Sequence, residues 1–335
     1  MAVTVAAPFN TTPAYSGSFI PQLWSKKLNA RYYVDNQLAE ILNTTWEGEI
    51  KNQGDSVRIR TSPALSIADY TVGSTLTYQV PTPIYTDFTI DKAKSFSFQV
   101  SDVLDAQADL SLMTMFMDDA AKQLKISIAD DCYNALFVGA APATATRPCH
   151  AANQGALAGV KSGALNLGTD AAPIATSTAE NLLKLILRMA AALDEQNVPD
   201  EGRWLLLSPF DRQILMQSSL AQAYFTGDQA STIRTGKVGM IDRFAVYTSN
   251  LLPRGEAAKA WVSGQSATSG GAAYAGALAR RMIVAGTKDA CTHASQVNKT
   301  ENVRNPNDFG DLVRGLQVYG RQVVKPEAFA IGVVA

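Results

Sequence analysis

Alternating hydrophobic and polar residues between positions 88 and 100 predict a β-strand. One side of this strand would carry the apolar side chains, at a spacing of two residues. These residues are Phe88, Ile90, Phe96, Phe98 and Val100. Ser101 and Asp102 follow with side-chain oxygens of the kind that cap helix N-termini. The pattern therefore predicts a long strand that leads directly into a helix.

From Ser111 to Val138 the apolar residues recur every three or four positions, which is the period of an amphipathic helix. The predicted apolar stripe comprises Met113, Phe116, Met117, Ala120, Ala121, Leu124, Ile128, Cys132 and Ala135. Gly139 and Pro142 are residues of the kind that end helices. A helix of about 28 residues is roughly 40 Å long. We expect it to lie across other elements as a spine, with the preceding strand reaching away as an arm.

A β-hairpin is predicted upstream of this strand. Trp46–Lys51 and Ser56–Thr61 would be its two strands, and the turn-forming residues 52–55 lie between them. A further strand is predicted over Ser74–Val80, followed by a bend at the prolines 81 and 83. Because two strands alone are marginally stable in water, the excursion over residues 46–100 needs a partner surface.

The flanking segments have weaker patterns. Residues 1–18 have no apolar period and predict an arm without a core of its own. A short helix is predicted to begin at Pro21, and further apolar anchors lie at Leu23, Trp24, Leu28, Leu38, Ile41 and Leu42. Residues 139–176 are rich in small residues, and we expect a covering loop that is functional or mobile.

The second half of the chain mixes helix and strand signals. A capping box at Ser177–Glu180 opens a helix whose two apolar stripes predict burial on most sides. Further elements are predicted as follows: a central strand at Arg203–Leu207, a helix from Ser208, strands within Thr235–Asn250 and at Arg281–Ala285, a short helix at Thr287–Val297, and strands at Leu312–Val324 and Phe329–Val334. Because strands return after the helices, the fold class predicted is α+β.

Composition narrows the function classes. The 335 residues are 47% hydrophobic, which is enough for a substantial core. Net charge is −1 and charged residues make up only 18%, so a free-standing nucleic-acid binder, which would be basic, is not expected. A weakly charged surface suits a protein that packs against copies of itself. Neither a signal peptide nor a membrane-spanning apolar run is expected, and the three cysteines predict no disulfide framework.

Motifs for chemistry are scarce. No phosphate-binding loop, dinucleotide fingerprint or nucleophile elbow occurs in the sequence. The neighbouring Cys149 and His150 are the one visible nucleophile and base, but catalytic partners normally come from separate elements of the fold. His293 is expected on the polar face of its helix. The paired acids 118/119, 130/131 and 194/195 are expected on solvated helix faces. No enzyme, metal or cofactor is therefore expected.

Seven arginines are spread along the chain rather than clustered. They are Arg58, Arg60, Arg280, Arg281, Arg304, Arg314 and Arg321. Because they form no basic patch, ion pairs between subunits are favoured over recognition of nucleic acid.

The order of these parts resembles that of the major capsid (coat) proteins of tailed bacteriophages with the Hong Kong 97 fold. The resemblance extends over residues 19–334 and rests on several short passages. They are Phe19–Leu28, Glu47–Arg60, Asp91–Lys94, Gly236–Asn250, Val318–Gly320 and Lys325–Glu327. In that family an N-terminal arm precedes a long hairpin, the E-loop, and a spine helix follows.

The resemblance implies a division of the chain. An N-terminal arm would occupy residues 1–45 and the E-loop hairpin residues 46–100. The spine helix and peripheral domain would span 101–200, the axial domain 201–305, and C-terminal strands returning to the peripheral domain 306–335.

The resemblance also implies a structural protein that assembles into pentamers and hexamers of an icosahedral phage head around double-stranded DNA. The E-loop would lie on a neighbouring subunit and the arm would clasp another. The side chains expected at these contacts are Trp24, Trp46, Glu47, Glu49, Lys51, Asp55, Arg58, Arg60, Tyr78 and Tyr85.

The partners implied are copies of the chain, a portal, a decoration protein and packaged DNA held by weak non-specific contacts, with no membrane. Only about 18 aperiodic residues precede the first matching passage, so a separate scaffolding protein is expected. Assembly would take place in the host cytoplasm and the product would be the virion. Two alternatives stay open: an encapsulin-like cargo shell, which would share the fold, and a hydrolase that uses Cys149 and His150.

Overall fold

The computed structural model describes most of the chain. The described residues are 33–34, 37–46, 56–63, 65–73, 75, 78–102, 112–139, 147–176, 179–217, 239–255 and 280–335. The helix predicted from Pro21 and the hairpin strand predicted at residues 47–51 lie outside them. The buried positions Leu38 and Ile41 confirm the apolar patch predicted before the hairpin.

The described part of the chain contains both helices and strands. The helices are α1 (Leu38–Ile41), α2 (Leu112–Tyr133), α3 (Ala179–Glu195) and α4 (Pro209–Met216); α2 continues as a π-helical turn over Asn134–Val138. The strands are β1 (Ser56–Thr61), β2 (Ile84–Thr89), β3 (Lys92–Ser101), β4 (Arg203–Leu207), β5 (Met240–Ile241), β6 (Phe244–Thr248), β7 (Arg254–Gly255), β8 (Arg280–Thr287), β9 (Cys291–Arg304), β10 (Gly310–Val323) and β11 (Phe329–Val334). This combination confirms the α+β class.

The largest sheet has the strand order β11-β8-β4-β6-β5, and β7 pairs with β8. All five residues of β4 are buried, as expected for a central strand. β4 runs parallel to β6, whereas β8 runs antiparallel to both β4 and β11. Helix α3 packs on this sheet through fully buried side chains such as Leu185 and Met189. Of residues 180–195 only Lys184 and Leu187 are exposed, which confirms the prediction that α3 is buried on most sides, although Leu187 of its second apolar stripe is 48% exposed.

A second sheet, of order β3-β10-β9, supports the spine helix α2. The Phe98 and Phe116 rings meet edge to face, with centroids 5.8 Å apart. Farther along α2, Asp131 accepts a hydrogen bond of 2.7 Å from the Tyr319 hydroxyl and forms an ion pair of 3.1 Å with Arg321. The spine helix therefore lies across this sheet. Asp131 faces the sheet, so the prediction that it lies on a solvated helix face was wrong.

The single long strand predicted over residues 88–100 is two strands. β2 pairs with β1 in a two-stranded sheet, whereas β3 pairs with β10. The chain changes sheets at Ile90 and Asp91, which belong to neither strand. Alternating exposure nevertheless continues along β3. The strand predicted over Ser74–Val80 is absent from the part of it that the structure describes.

The helix predicted over Thr287–Val297 was wrong. Lys288–Ala290 form one 3-10 turn, and β9 begins at Cys291 and pairs with β10. Cys291 and Ala294 are nevertheless buried as predicted. Residues three apart on a strand face opposite sides, and Cys291 lies in the main core while Ala294 lies in a second, smaller one. His293 therefore lies on a strand, where its ring is tilted against that of Tyr319, with centroids 5.8 Å apart.

The described part of the predicted covering loop, residues 147–176, holds one short 3-10 turn at Ala151–Asn153. It packs along β11: the Asn153 side chain donates to the carbonyl oxygens of Glu327 and Phe329, at 2.7 and 3.0 Å. Thr176 donates to the Ala335 carbonyl oxygen at 2.6 Å. These bonds fix the segment as a cover over the edge of the largest sheet.

Candidate assembly surfaces

The hairpin formed by β1 and β2, called the hairpin from here on, presents apolar side chains that no described residue covers. Beyond β1 and β2 the chain forms the hairpin tip, residues 62–83, in which no described residue is in a helix or strand. Eight large apolar side chains of the tip and of β2 are more than half exposed: Leu65, Ile67, Tyr70, Val72, Tyr78, Val80, Ile84 and Tyr85. Ile67 is 99% exposed and Val72 is 96% exposed. A concentration of large exposed apolar side chains in one segment is typical of a protein–protein contact.

Polar contacts hold the hairpin in shape. Arg58 on β1 forms an ion pair with Asp87 on β2 at 2.8 Å, and its guanidinium lies 4.1 Å from the centre of the Tyr85 ring. The hydrogen bond from Arg58 lowers the pKa of Asp87. In the tip, the Gln79 amide donates to the Ser66 carbonyl oxygen at 2.8 Å. These contacts hold the backbone of the hairpin in one conformation, from which the apolar side chains of the tip project.

The base of the hairpin rests on a small core separate from the main one. Its buried members are Ile59, Phe88, Ile90 and Ala294; Trp46, Val57, Val318 and Val324 pack around them. Gly320 of β10 lies directly beneath the junction of β2 and β3, because a Cβ there would be 2.4 Å from the Thr89 carbonyl oxygen. The hairpin is therefore attached to the second sheet through a few close contacts.

The predicted contact residues fall into two groups. Trp24, Glu47, Glu49, Lys51 and Asp55 lie outside the described residues. Among the others, Trp46 is half-buried at the hairpin base, while Arg58, Arg60, Tyr78 and Tyr85 are exposed. Contacts between subunits through any of these residues stay a prediction.

The sequence analysis missed the apolar side chains of the tip apart from Tyr78. Leu65, Ile67, Tyr70 and Val72 were assigned to no predicted element, and Val80 only ended the strand predicted over Ser74–Val80. A signal was nevertheless present, since apolar side chains recur along this segment and no neighbouring element is predicted that would bury them. Such a segment must be covered by something other than its own secondary structure.

Six of the seven scattered arginines form ion pairs within the chain, which revises the prediction of ion pairs between subunits. The pairs are Arg58–Asp87, Arg280–Asp170, Arg281–Asp211, Arg304–Asp102, Arg314–Glu301 and Arg321–Asp131. Each joins two segments of the fold. For Arg60, the described residues contain no ion pair.

Acids 194 and 195 are partly exposed, but both also have partners in the fold, which the prediction of solvated helix faces did not include. Asp194 forms ion pairs with Arg203 and Arg243, each at 2.7 Å. Glu195 accepts the Lys161 backbone N–H at 2.8 Å, and this hydrogen bond lowers its pKa. Asp194 therefore joins the end of α3 to β4 and to the turn between β5 and β6, and Glu195 joins it to the loop at Lys161.

Cys149 and His150 do not have the geometry of a catalytic pair. Cys149 is buried, and burial raises the pKa of its thiol to about 12, so the reactive thiolate is disfavoured. His150 Nδ1 accepts the backbone N–H of Ala152 at 3.2 Å, which leaves this nitrogen engaged in capping the 3-10 turn. Within the described residues, no His, Cys, Asp and Glu side chains group as a metal site, and no helix is long and apolar enough to cross a bilayer.

Comparison with solved structures finds capsids of the same fold. A structure from Mycobacterium phage Che8 is 23% identical with a TM-score of 0.70, covering 94% of this chain and 97% of that chain. The capsid of cyanophage P-SCSP1u is 16% identical with a TM-score of 0.67, covering 97% and 99%. The capsid asymmetric unit of cyanophage Pam1 is 11% identical with a TM-score of 0.66, covering 98% and 99%.

Sequence comparison gives the family. No curated protein matches the chain. The model of the family described as phage capsid protein matches residues 85–332, which include the spine helix and both larger sheets. The chain therefore belongs to the phage capsid protein family, has the Hong Kong 97-like α+β fold, and is a structural coat protein of the virion.

Proposed function

We propose that the chain assembles with copies of itself into pentamers and hexamers that tile the icosahedral head of a tailed phage around double-stranded DNA. The hairpin of one subunit would lie on its neighbour, and the N-terminal arm would clasp another. The division into arm, E-loop, peripheral and axial domains made above belongs to the same proposal, as does assembly in the host cytoplasm.

The observation that carries this proposal is the exposed apolar hairpin tip. A two-stranded hairpin is marginally stable, and exposing its apolar side chains to water is unfavourable for an isolated protein. Covering the same side chains with a neighbouring copy removes that cost. Because the hairpin and the surface that receives it are different parts of the subunit, the contact is heterologous, and repetition around an axis closes rings.

The free energy of each contact between subunits can be estimated from the tip residues. Fully burying an aliphatic side chain contributes roughly 1.5–3 kcal/mol. Ile67 and Val72 have almost their whole surface available for burial. Two such side chains would contribute about 3–6 kcal/mol of gross stabilisation to each contact. Contacts of this size are weak singly and strong when many close together in a shell.

Charge supports a limited role for the packaged DNA. The net charge is −1, and phosphate-driven binding needs an excess of lysine and arginine. DNA contacts would therefore be weak and non-specific. A separate scaffolding protein, a portal and a decoration protein are the further partners that we propose.

The test replaces apolar area at the tip with hydroxyls. Ile67→Ser and Val72→Ser remove side chains that make little contact within the chain, so each variant should fold as the unaltered protein does. In each variant the association constant of a contact should fall at least about tenfold, since a loss of about 1.4 kcal/mol per contact is a factor of ten. Thr75→Ser, which changes one methyl group in the same tip, is the matched control and should assemble normally.

Assembly would be measured by light scattering and negative-stain microscopy, with and without the neighbouring genes. Megadalton shells, or rings of five or six that close when a scaffold is added, are the expected products. A stable monomer at high concentration with every neighbouring gene present would contradict the proposal. Normal shells from both serine variants would contradict the role of the tip.

A further inference from the structure

A strap formed by residues 33–34 and 37–46 runs over three parts of the fold. At its start, the Tyr33 hydroxyl donates to the Asp119 carboxylate of the spine helix. The Lys122 ammonium, one helical turn on, lies 4.7 Å from the centre of the Tyr33 ring. Two contacts with successive turns of α2 thus set the position of this end of the strap.

The middle of the strap enters the main core. Leu38, Ile41 and Leu42 are buried there together with Cys132 of the spine helix and Cys291 of β9. The strap is therefore packed between the helix and the second sheet and does not lie loosely on the surface.

Backbone hydrogen bonds then fix the strap to β9. The Asn43 N–H donates to the Cys291 carbonyl oxygen at 3.0 Å, and the Asn43 carbonyl oxygen accepts the His293 N–H at 3.0 Å. The Thr292 hydroxyl donates to the same carbonyl oxygen at 2.9 Å. Asn43 and Thr292 form a parallel bridge. These bonds give the strap one register on the strand.

The end of the strap contacts the hairpin. Three residues after Asn43, Trp46 packs against the small core formed by Ile59, Phe88, Ile90 and Ala294. Ala294 lies on β9, directly after the residues that bind Asn43. A single short stretch of β9 therefore holds both the strap and the hairpin base.

We infer that this strap couples the spine helix to the hairpin, so that the position of the helix sets the orientation of the hairpin base. The inference deepens the proposed function and rests on it for its purpose: identical subunits in pentamers and hexamers need hairpins at different angles. A packed strap with fixed ends transmits displacement, because its core side chains cannot slide without opening cavities.

Amide hydrogen exchange on the full chain tests the coupling. Tyr33→Phe keeps the ring but removes the hydroxyl bound to Asp119 at the helix end of the strap. Exchange in β1 and β2 should then rise at least about threefold, the effect of losing one hydrogen bond. Trp46→Ala should raise it more. Exchange in the central strand β4 should stay unchanged in both variants.

Tyr78→Phe is the matched control, since it makes the same chemical change on an exposed ring of the hairpin tip. Exchange in β1 and β2 equal for Tyr33→Phe and Tyr78→Phe would overturn the coupling, even if Trp46→Ala loosened the hairpin locally. Faster exchange everywhere in Tyr33→Phe, β4 included, would also overturn it. Variants are compared in one assembly state, so this result is independent of whether the chain forms shells.

Discussion

Arg203 and Arg243 both form ion pairs with Asp194 and Asp200, but the first arginine is buried and the second is partly exposed. Replacing each in turn therefore tests how burial changes the cost of losing such a side chain. The Arg203 side chain is fully buried; it lies 2.7 Å from Asp194 and 3.1 Å from Asp200. It also donates to the carbonyl oxygens of Val198 at 2.6 Å and Pro199 at 2.9 Å. Arg243 forms ion pairs with both acids, but its side chain is 39% exposed.

Arg203→Met should destabilise the fold strongly. Two charge-assisted hydrogen bonds are lost, a buried one to the Val198 carbonyl oxygen and a partly buried one to that of Pro199, each contributing about 1.5–3 kcal/mol. The methionine recovers part of this through apolar contact, while the acids stay half-exposed and keep Arg243. A net loss of about 3 kcal/mol follows, which lowers the melting temperature by roughly 5 °C in a chain of this size.

Arg243→Met is the matched control. It removes contacts with the same acids, but water replaces them at an exposed site, so the melting temperature should stay close to that of the unaltered chain. Thermal unfolding followed by circular dichroism, with all proteins in one assembly state, measures both. Equal losses in the two variants would refute the argument that burial of Arg203 decides the cost.

Three further predictions concern other parts of the fold. Gly320→Ala places a Cβ 2.4 Å from the Thr89 carbonyl oxygen, so it should destabilise the fold by about 1–3 kcal/mol. Trypsin should then cleave the hairpin faster. Gly239→Ala, which has open space around it, should change neither. The hydrogen bond from Arg243 lowers the pKa of Asp200, so stabilisation from this pair is present above the unfolded pKa and lost as pH falls through the folded pKa. Because the pair is exposed, the drop in melting temperature between pH 7 and pH 3 should differ by no more than about 1 °C between Asp200→Asn and the unaltered chain, and a clearly smaller drop in Asp200→Asn would contradict this. Cys149 should not react with a thiol reagent at pH 8 until the chain is unfolded, and fast labelling of the folded chain would contradict its burial.

Regular elements with a clear period were predicted well from the sequence. The described spine helix runs over Leu112–Tyr133, inside the predicted span, and ends, as a π-helical turn, at Val138 as predicted. The central strand at Arg203–Leu207 and the capped helix after Ser208 also match the prediction. In each case a local signal suffices, because hydrophobic period and capping side chains act within a few residues of where they stand.

Strand partners were not predictable in the same way. The alternation from Phe88 to Val100 continues through the point at which the chain leaves β1 and joins β10. Likewise Ala290, Cys291 and Ala294 have a spacing that suits a helix, but pairing with β10 makes most of that segment a strand. Period shows which side chains face a core, whereas tertiary packing selects which core and which strand.

The sequence by itself determined that the chain has a spine helix, strands before that helix and few groups for catalysis, because periodicity and residue chemistry are local properties. The pairing of β1 with β2 was not predicted, since the hairpin expected from the sequence joined Ser56–Thr61 to Trp46–Lys51. Tertiary structure alone decided that Arg321 pairs with Asp131 and that Trp46 and Phe88 share a core at the hairpin base. Those partners lie up to about 190 positions apart, and no short-range pattern specifies which distant side chain will fill a given space. The physical reason is that burial and pairing depend on three-dimensional neighbours, which form only when the chain has packed.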